Sequence, residues 1–145
     1  MRTKYAIHDD SQFTALAYIN TMNEIQSANQ IKTLTAPFLE KGFAFEYFYQ
    51  KGGDSSCVYI CRYQKGKDYF DWREVSGANE IHLVVFVNGE FRFPNLFSLY
   101  KKEYRAFKWK HLFKKPNIDE YRALFAKLLC LELASGKDNF FGISI

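Results

Sequence analysis

The residues best suited to chemistry fall in two stretches of the chain. In the first, Asp71, Arg73 and His82 occur with two tyrosines, Tyr47 and Tyr59, inside apolar runs of alternating polarity. Histidine exchanges protons near neutral pH, arginine pairs with carboxylates and phosphates, and a phenol both donates and accepts. Gathered on one face, these five groups would hold an anionic or aromatic small ligand, or perform acid–base work with His82 as the proton carrier. The plainer alternative pairs Arg73 with Asp71 or a phenol and leaves His82 hydrogen-bonded at a partly wet end of a sheet.

The second stretch, residues 99–115, carries seven basic residues against the single acid Glu103. That local net of +6 sits in a chain whose total is +4, which leaves −2 for everything else. On a helical wheel of about 100° per residue, Leu96, Phe97, Tyr100, Tyr104 and Phe107 gather on one side. Lys101, Lys102, Arg105 and Lys108 gather on the other, with Trp109 and Leu112 among or beside them. Such a surface can receive an acidic protein patch, and it can also neutralise phosphates while an indole stacks on a base. A row of lysines is equally what an ordinary solvated helix face presents, and Trp109 has a second option under the C-terminal tail.

Other chemistry is poorly supported. His8 with Asp9 and Asp10 lacks a further ligand at metal spacing, so no metal site is expected. No cofactor motif is present: Lys51-Gly52-Gly53-Asp54-Ser55 is a hairpin turn and opens no helix, as a phosphate cradle must. His111, on the apolar side of its helix, reads as a packed histidine. Cys57 and Cys61 on one strand would lie roughly 13 Å apart, too far for a disulfide. The sheet geometry inferred below makes Asp71 a neighbour of Cys61, which would raise its thiol pKa and leave it unreactive.

These side chains depend on a run of strands at 43–50, 56–64, 68–75, 80–87 and 90–93. The runs are separated by turns at Lys51 to Ser55, Lys65-Gly66-Lys67, Ser76 to Asn79 and Asn88-Gly89. If each hairpin pairs symmetrically about its turn, Tyr47, Tyr59, Arg73 and His82 form one cross-sheet row. Phe45, Cys61, Asp71, Val84 and Phe93 then form the next row on that face. Ile60, Phe70, Trp72, Leu83 and Val85 are expected on the opposite face, beneath helices, where Arg62 and Arg92 must snorkel or pair with Glu46 or Glu74. Residues 80–87 are apolar on both faces and should be central and covered on both.

Asp9-Asp10-Ser11 offers caps for a first helix through Ala15, Tyr18, Ile19, Met22 and Ile25. A second helical piece begins near Ala28, carries Ile31 and Leu34, is bent or restarted by Pro37, and ends at Gly42. After Pro94-Asn95 a helix is expected over 96–114, stopped by Pro116. A last helix capped by Asn117 runs to Ser135 and is apolar nearly all round. The tail at Phe140-Phe141-Gly142-Ile143 should fold back as cover.

The fold expected is therefore α+β: a five-stranded antiparallel meander flanked by two N-terminal and two C-terminal helices, one domain over residues 1–145. At 17.1 kDa the chain has room for one core. An odd cysteine count of 3, no sustained signal-peptide core after Met1-Arg2-Thr3-Lys4 and no membrane-length apolar run point to a cytoplasmic protein without membrane attachment. Aromatic residues at 19% either thicken the core or line a contact surface. With no recognisable catalytic set, the expected role is a non-catalytic binding domain of inhibitor or neutralising type. It would engage an acidic protein partner through Lys101, Lys102, Arg105, Lys108 and Trp109. Nucleic acid on the same helix, or a small ligand at the His82 and Arg73 face, are the alternatives.

Overall fold

The computed structural model describes residues 2–4, 15–51, 57–75 and 78–145. The expected caps at Asp9 to Ser11 and the residues around His8 lie outside that set. Five strands form the meander: β2 (Ala44–Lys51), β3 (Cys57–Lys65), β4 (Asp68–Val75), β5 (Ile81–Val87) and β6 (Glu90–Arg92). A short strand that the sequence pattern did not reveal, β1 (Arg2–Lys4), pairs with the far end of β2 and makes the sheet six-stranded, in the order β1-β2-β3-β4-β5-β6. Three residues are too few for a visible alternation.

Two of the four expected registers hold. Arg73 stands opposite His82 across β4 and β5, and Val87 opposite Glu90 across a turn in which Asn88 and Gly89 both have positive φ. Between β3 and β4 the register differs by one residue. The loop is Gly66-Lys67 alone, with Gly66 at φ +64°, so Lys65 pairs with Asp68 where a three-residue turn would have paired Gln64 with it. Between β2 and β3 it differs by two, and Tyr47 faces Cys61. A slip of two preserves the face a side chain occupies, whereas a slip of one reverses it.

Helices cover one side of this sheet. α1 (Ala15–Leu34) is a single helix where two were expected: nothing between Gln26 and Leu34 breaks it, and Ala28 and Ile31 are buried. It ends at Thr35, whose hydroxyl donates to the Ile31 carbonyl at 2.7 Å and also meets the Tyr63 hydroxyl. Pro37 then sits in the first turn of α2 (Ala36–Glu40), where its missing N–H costs nothing.

The expected helix over 96–114 is two pieces, α3 (Leu96–Leu99) and α4 (Lys101–Lys110). They part at Tyr100, whose hydroxyl donates to Glu132 at 2.6 Å. α5 (Ile118–Leu133), capped by Asn117, buries Leu124, Phe125, Leu128 and Leu129. The tail turns back as the hairpin β7 (Asn139–Phe140) and β8 (Ile143–Ser144), sealing Phe140 and Ile143 into the core.

The core is aromatic. Phe38, Tyr63, Phe70 and Phe140 meet ring to ring, with Tyr63 and Phe70 stacked at 4.6 Å and Phe38 edge-on to Phe70 at 4.9 Å. Trp72 packs edge-on against Phe125 at 4.9 Å. Much of the 19% aromatic content is thus accounted for by packing.

Candidate functional site

The odd register between β3 and β4 takes the expected sheet pocket apart. Tyr47 and Tyr59 lie on the helix-covered face with Cys61, Trp72 and Glu74, whereas Asp71, Arg73 and His82 lie on the other. The two tyrosine rings are parallel, with centroids 6.4 Å apart, and the Tyr59 hydroxyl donates to Glu24 on α1 at 3.0 Å. Ile60, expected under the helices, shares the opposite face with Asp71 and Val84, and all three are buried. Of the β5 residues on that face only Val84 is buried; His82 is exposed and Phe86 half-buried, so the cover expected on both faces of residues 80–87 is incomplete.

Asp71 is fully buried and serves structure. Arg62, directly across from it, donates through Nε and Nη2 at 2.8 Å each, and Arg73 reaches the same carboxylate at 3.4 Å. Asp71 is thus the principal partner of Arg62, and its hydrogen bond is the main reason the guanidinium pKa is raised; Glu46, directly across on β2, adds a smaller charge contribution in the same direction. Glu74 instead receives Arg122 from α5 in a two-pronged pair and the Trp72 indole N–H at 3.0 Å. The Arg73 Nε is buried with no hydrogen-bond partner. His82 is exposed, 3.4 Å from the exposed Glu80. Burial above all pushes the Cys61 thiol far up, so it is no nucleophile; Trp72, and not Asp71, stands opposite it. His111 is held by the Phe107 carbonyl and Glu120, a packed histidine as its position implied.

The basic helix keeps its expected character. In α4 the order around the axis is Lys108, Lys101, Arg105, Trp109 and Lys102, spanning an arc of about 120°. All five side chains are exposed, Trp109 by 75%. Among the described residues none of these four cations is in an ion pair, whereas Arg62, Arg122 and Lys137 each meet a carboxylate. Lys108 instead lies over the Tyr104 ring at 4.7 Å, and Tyr104 stacks on Phe97 at 4.4 Å. The apolar side of α4 faces inward, with Phe97, Tyr100, Tyr104 and Phe107 against the core.

Leu112, placed beside the cations by the wheel, is exposed, and so are Phe91, Phe93, Leu99 and Phe113, Phe113 by 98%. The wheel does not reveal these last four; the one signal for them in the sequence is its high aromatic content.

Two clefts flank this surface. One, of about 390 Å³, runs along α4 between Lys101, Arg105 and Lys108 and the α3 residues Phe97 and Ser98. The other, of about 770 Å³, curls around the N-terminal half of β5, reaching Arg73, His82 and Val84 on one face and Leu83, Phe97 and Phe125 on the other. They share Asn95, Phe97 and Tyr104 as lining residues, so they lie side by side. Arg73 and His82, separated in sequence from the basic helix, thus line the larger cleft, which adjoins the one that Lys101, Arg105 and Lys108 border. Among the described residues no three His, Cys, Asp or Glu side chains converge as a metal site would require, and no helix is long and apolar enough to cross a membrane. No protein-family model, curated protein or solved structure significantly matches the chain.

Proposed function

We propose that the chain is a binding protein that engages an acidic protein partner through the exposed arc of α4, as an inhibitor or neutralising protein would. The observation that carries this reading is the clustering of four exposed cations, in no ion pair among the described residues, around an exposed Trp109 on one arc of α4. Elsewhere this protein spends its buried arginines on carboxylates of its own. Solvated charges of one sign beside apolar surface add little to the stability of the isolated fold, but they steer and orient an oppositely charged partner.

A protein is favoured over nucleic acid by the neighbours. Leu112 and Phe113 follow the arc directly, and Leu99 and Phe93 lie exposed nearby in the chain. Apolar anchors inside a charged rim are the composition of a protein interface, whereas nucleic-acid interfaces are more polar and more uniformly basic.

The test is capture of partners by the wild-type chain and by Lys101→Glu/Arg105→Glu/Lys108→Glu, alongside titration with a single-stranded oligonucleotide at two salt concentrations. Partner recovery that is lost in the charge-reversed chain, with negligible oligonucleotide affinity, is the expected result. Equal recovery by both chains overturns the reading, and tight, steeply salt-dependent oligonucleotide binding transfers the arc to nucleic acid.

A further inference from the structure

The edge of β5 is left half unpaired, and the reason is a single residue. β6 pairs only with Val85–Val87, so among the described residues Ile81–Val84 has β4 as its one strand neighbour. Continuing the β5–β6 register would bring Pro94 opposite Leu83. Proline has no N–H to donate, and the ladder stops before it.

The hydrogen-bonding parity tells which groups are left over. Val75 N–H donates to the Glu80 carbonyl, so Val75 and Glu80 are a bonded pair, and alternation then makes Arg73–His82 and Asp71–Val84 bonded pairs as well. Ile81 and Leu83 are the alternate residues: their N–H and C=O groups point away from β4, toward the missing neighbour. Among the described residues no turn, loop or cap backbone bond reaches them. The larger cleft lies at this edge and opens onto both faces of the sheet.

Resting on the acidic-partner reading above, we infer that the partner is held as an extended acidic segment that adds as a strand to the Ile81–Val84 edge. Strand addition supplies main-chain bonds at Ile81 and Leu83, and alternate side chains of the guest fall on opposite faces. On one face they meet the aromatic wall of Phe97, Tyr121 and Phe125, which suits apolar residues; on the other they meet Arg73 and His82. Beyond the edge the guest passes Asn95 and Tyr104 into the cleft bordered by Lys101, Arg105 and Lys108. Arg73 and His82 are each 3.4 Å from a carboxylate of the chain itself, Asp71 and Glu80, so the charge that selects an acidic sequence along this path comes chiefly from Lys101, Arg105 and Lys108. The guest is thus a segment in which acidic and apolar residues alternate.

Amide hydrogen exchange on the full chain tests this, with a synthetic six-residue peptide of alternating Glu and Val as the probe. In the free protein the Ile81 and Leu83 amides should exchange at least tenfold faster than those of His82 and Val84. The peptide should slow them at least tenfold, and N-methylation of alternate peptide residues, which keeps every charge, should weaken binding at least tenfold. Peptide binding that is abolished by Lys101→Glu/Arg105→Glu/Lys108→Glu yet leaves Ile81 and Leu83 exchange unchanged overturns strand addition while leaving the acidic-partner reading standing. Absence of binding at millimolar peptide overturns strand addition; if partner capture by the wild-type chain also fails to depend on the α4 cations, both readings fall.

Discussion

Arg62 and Asp71 face each other across β3 and β4 with two 2.8 Å bonds, and the guanidinium lies 3.7 Å from the centre of the Tyr69 ring. Asp71 has no solvent exposure and Arg62 has little. Breaking such a pair from one side strands the other charge in a poorly solvated site. Asp71→Asn should therefore lose roughly 3–5 kcal/mol in urea unfolding, while Arg62→Met/Asp71→Leu should recover much of that loss. Equal destabilisation by the single and double variants would show that the pair is not what holds this part of the sheet.

The two tryptophans report on different parts of the molecule. Trp72 is fully buried and bonded to Glu74, whereas Trp109 is 75% exposed. Iodide should quench one component of the emission and spare the other, and Trp109→Phe should remove the quenchable one. Partner binding through α4 should shift the Trp109 emission to shorter wavelength. An emission from Trp109 already shielded in the free chain would contradict its exposure.

Substitutions on the α4 surface should separate binding from stability. Trp109 and Phe113 touch little of the core, so Trp109→Ala and Phe113→Ser should each change stability by no more than about 0.5 kcal/mol. As anchors of an interface they should each weaken partner binding by a kcal/mol or more, of the order seen for aromatic hot spots. Phe38→Ala, deep in the ring cluster, should instead cost roughly 3–5 kcal/mol.

Acid and alkali should attack one small network at the end of α5. Burial alone would raise the Glu132 carboxyl, but hydrogen bonds from the Tyr100 hydroxyl and the Lys137 ammonium outweigh it and hold its pKa below the ordinary value. Stability from a depressed carboxyl is present above its unfolded pKa, about 4.3, and is lost as pH falls through its folded value. Burial and the same bond to Glu132 push the Tyr100 phenol up, so its contribution is full below its unfolded value of about 10 and fades at higher pH. In urea unfolding, the gap between wild type and Glu132→Gln should be widest near neutrality and should narrow at acid pH. A gap independent of pH would remove the carboxylate from the account.

The buried Cys61 thiol should be inert. Burial is the main cause raising its pKa, so in a Cys57→Ser/Cys130→Ser background a thiol reagent at pH 8 should label the unfolded chain far faster than the native one. Rapid native labelling would mean that the sheet opens beneath α1.

Much of this protein was determined by local sequence. Alternating apolar runs separated by glycine and asparagine turns specify five strands in sequential order, because only neighbouring hairpins can close with such short loops. Asn88-Gly89 specifies its own two-residue turn and so the β5–β6 register, and the wheel of α4 specifies which of its side chains meet water. What tertiary structure alone decided was the length of the Gly66-Lys67 loop, and with it the parity of everything from β2 to β4. Side chains on a strand repeat every two residues, so one position of slip moved Tyr47 and Tyr59 to the opposite face from Arg73. The same packing set the cleft lined by Arg73 and His82 beside the one bordered by Lys101, Arg105 and Lys108, a juxtaposition no spacing along the chain encodes.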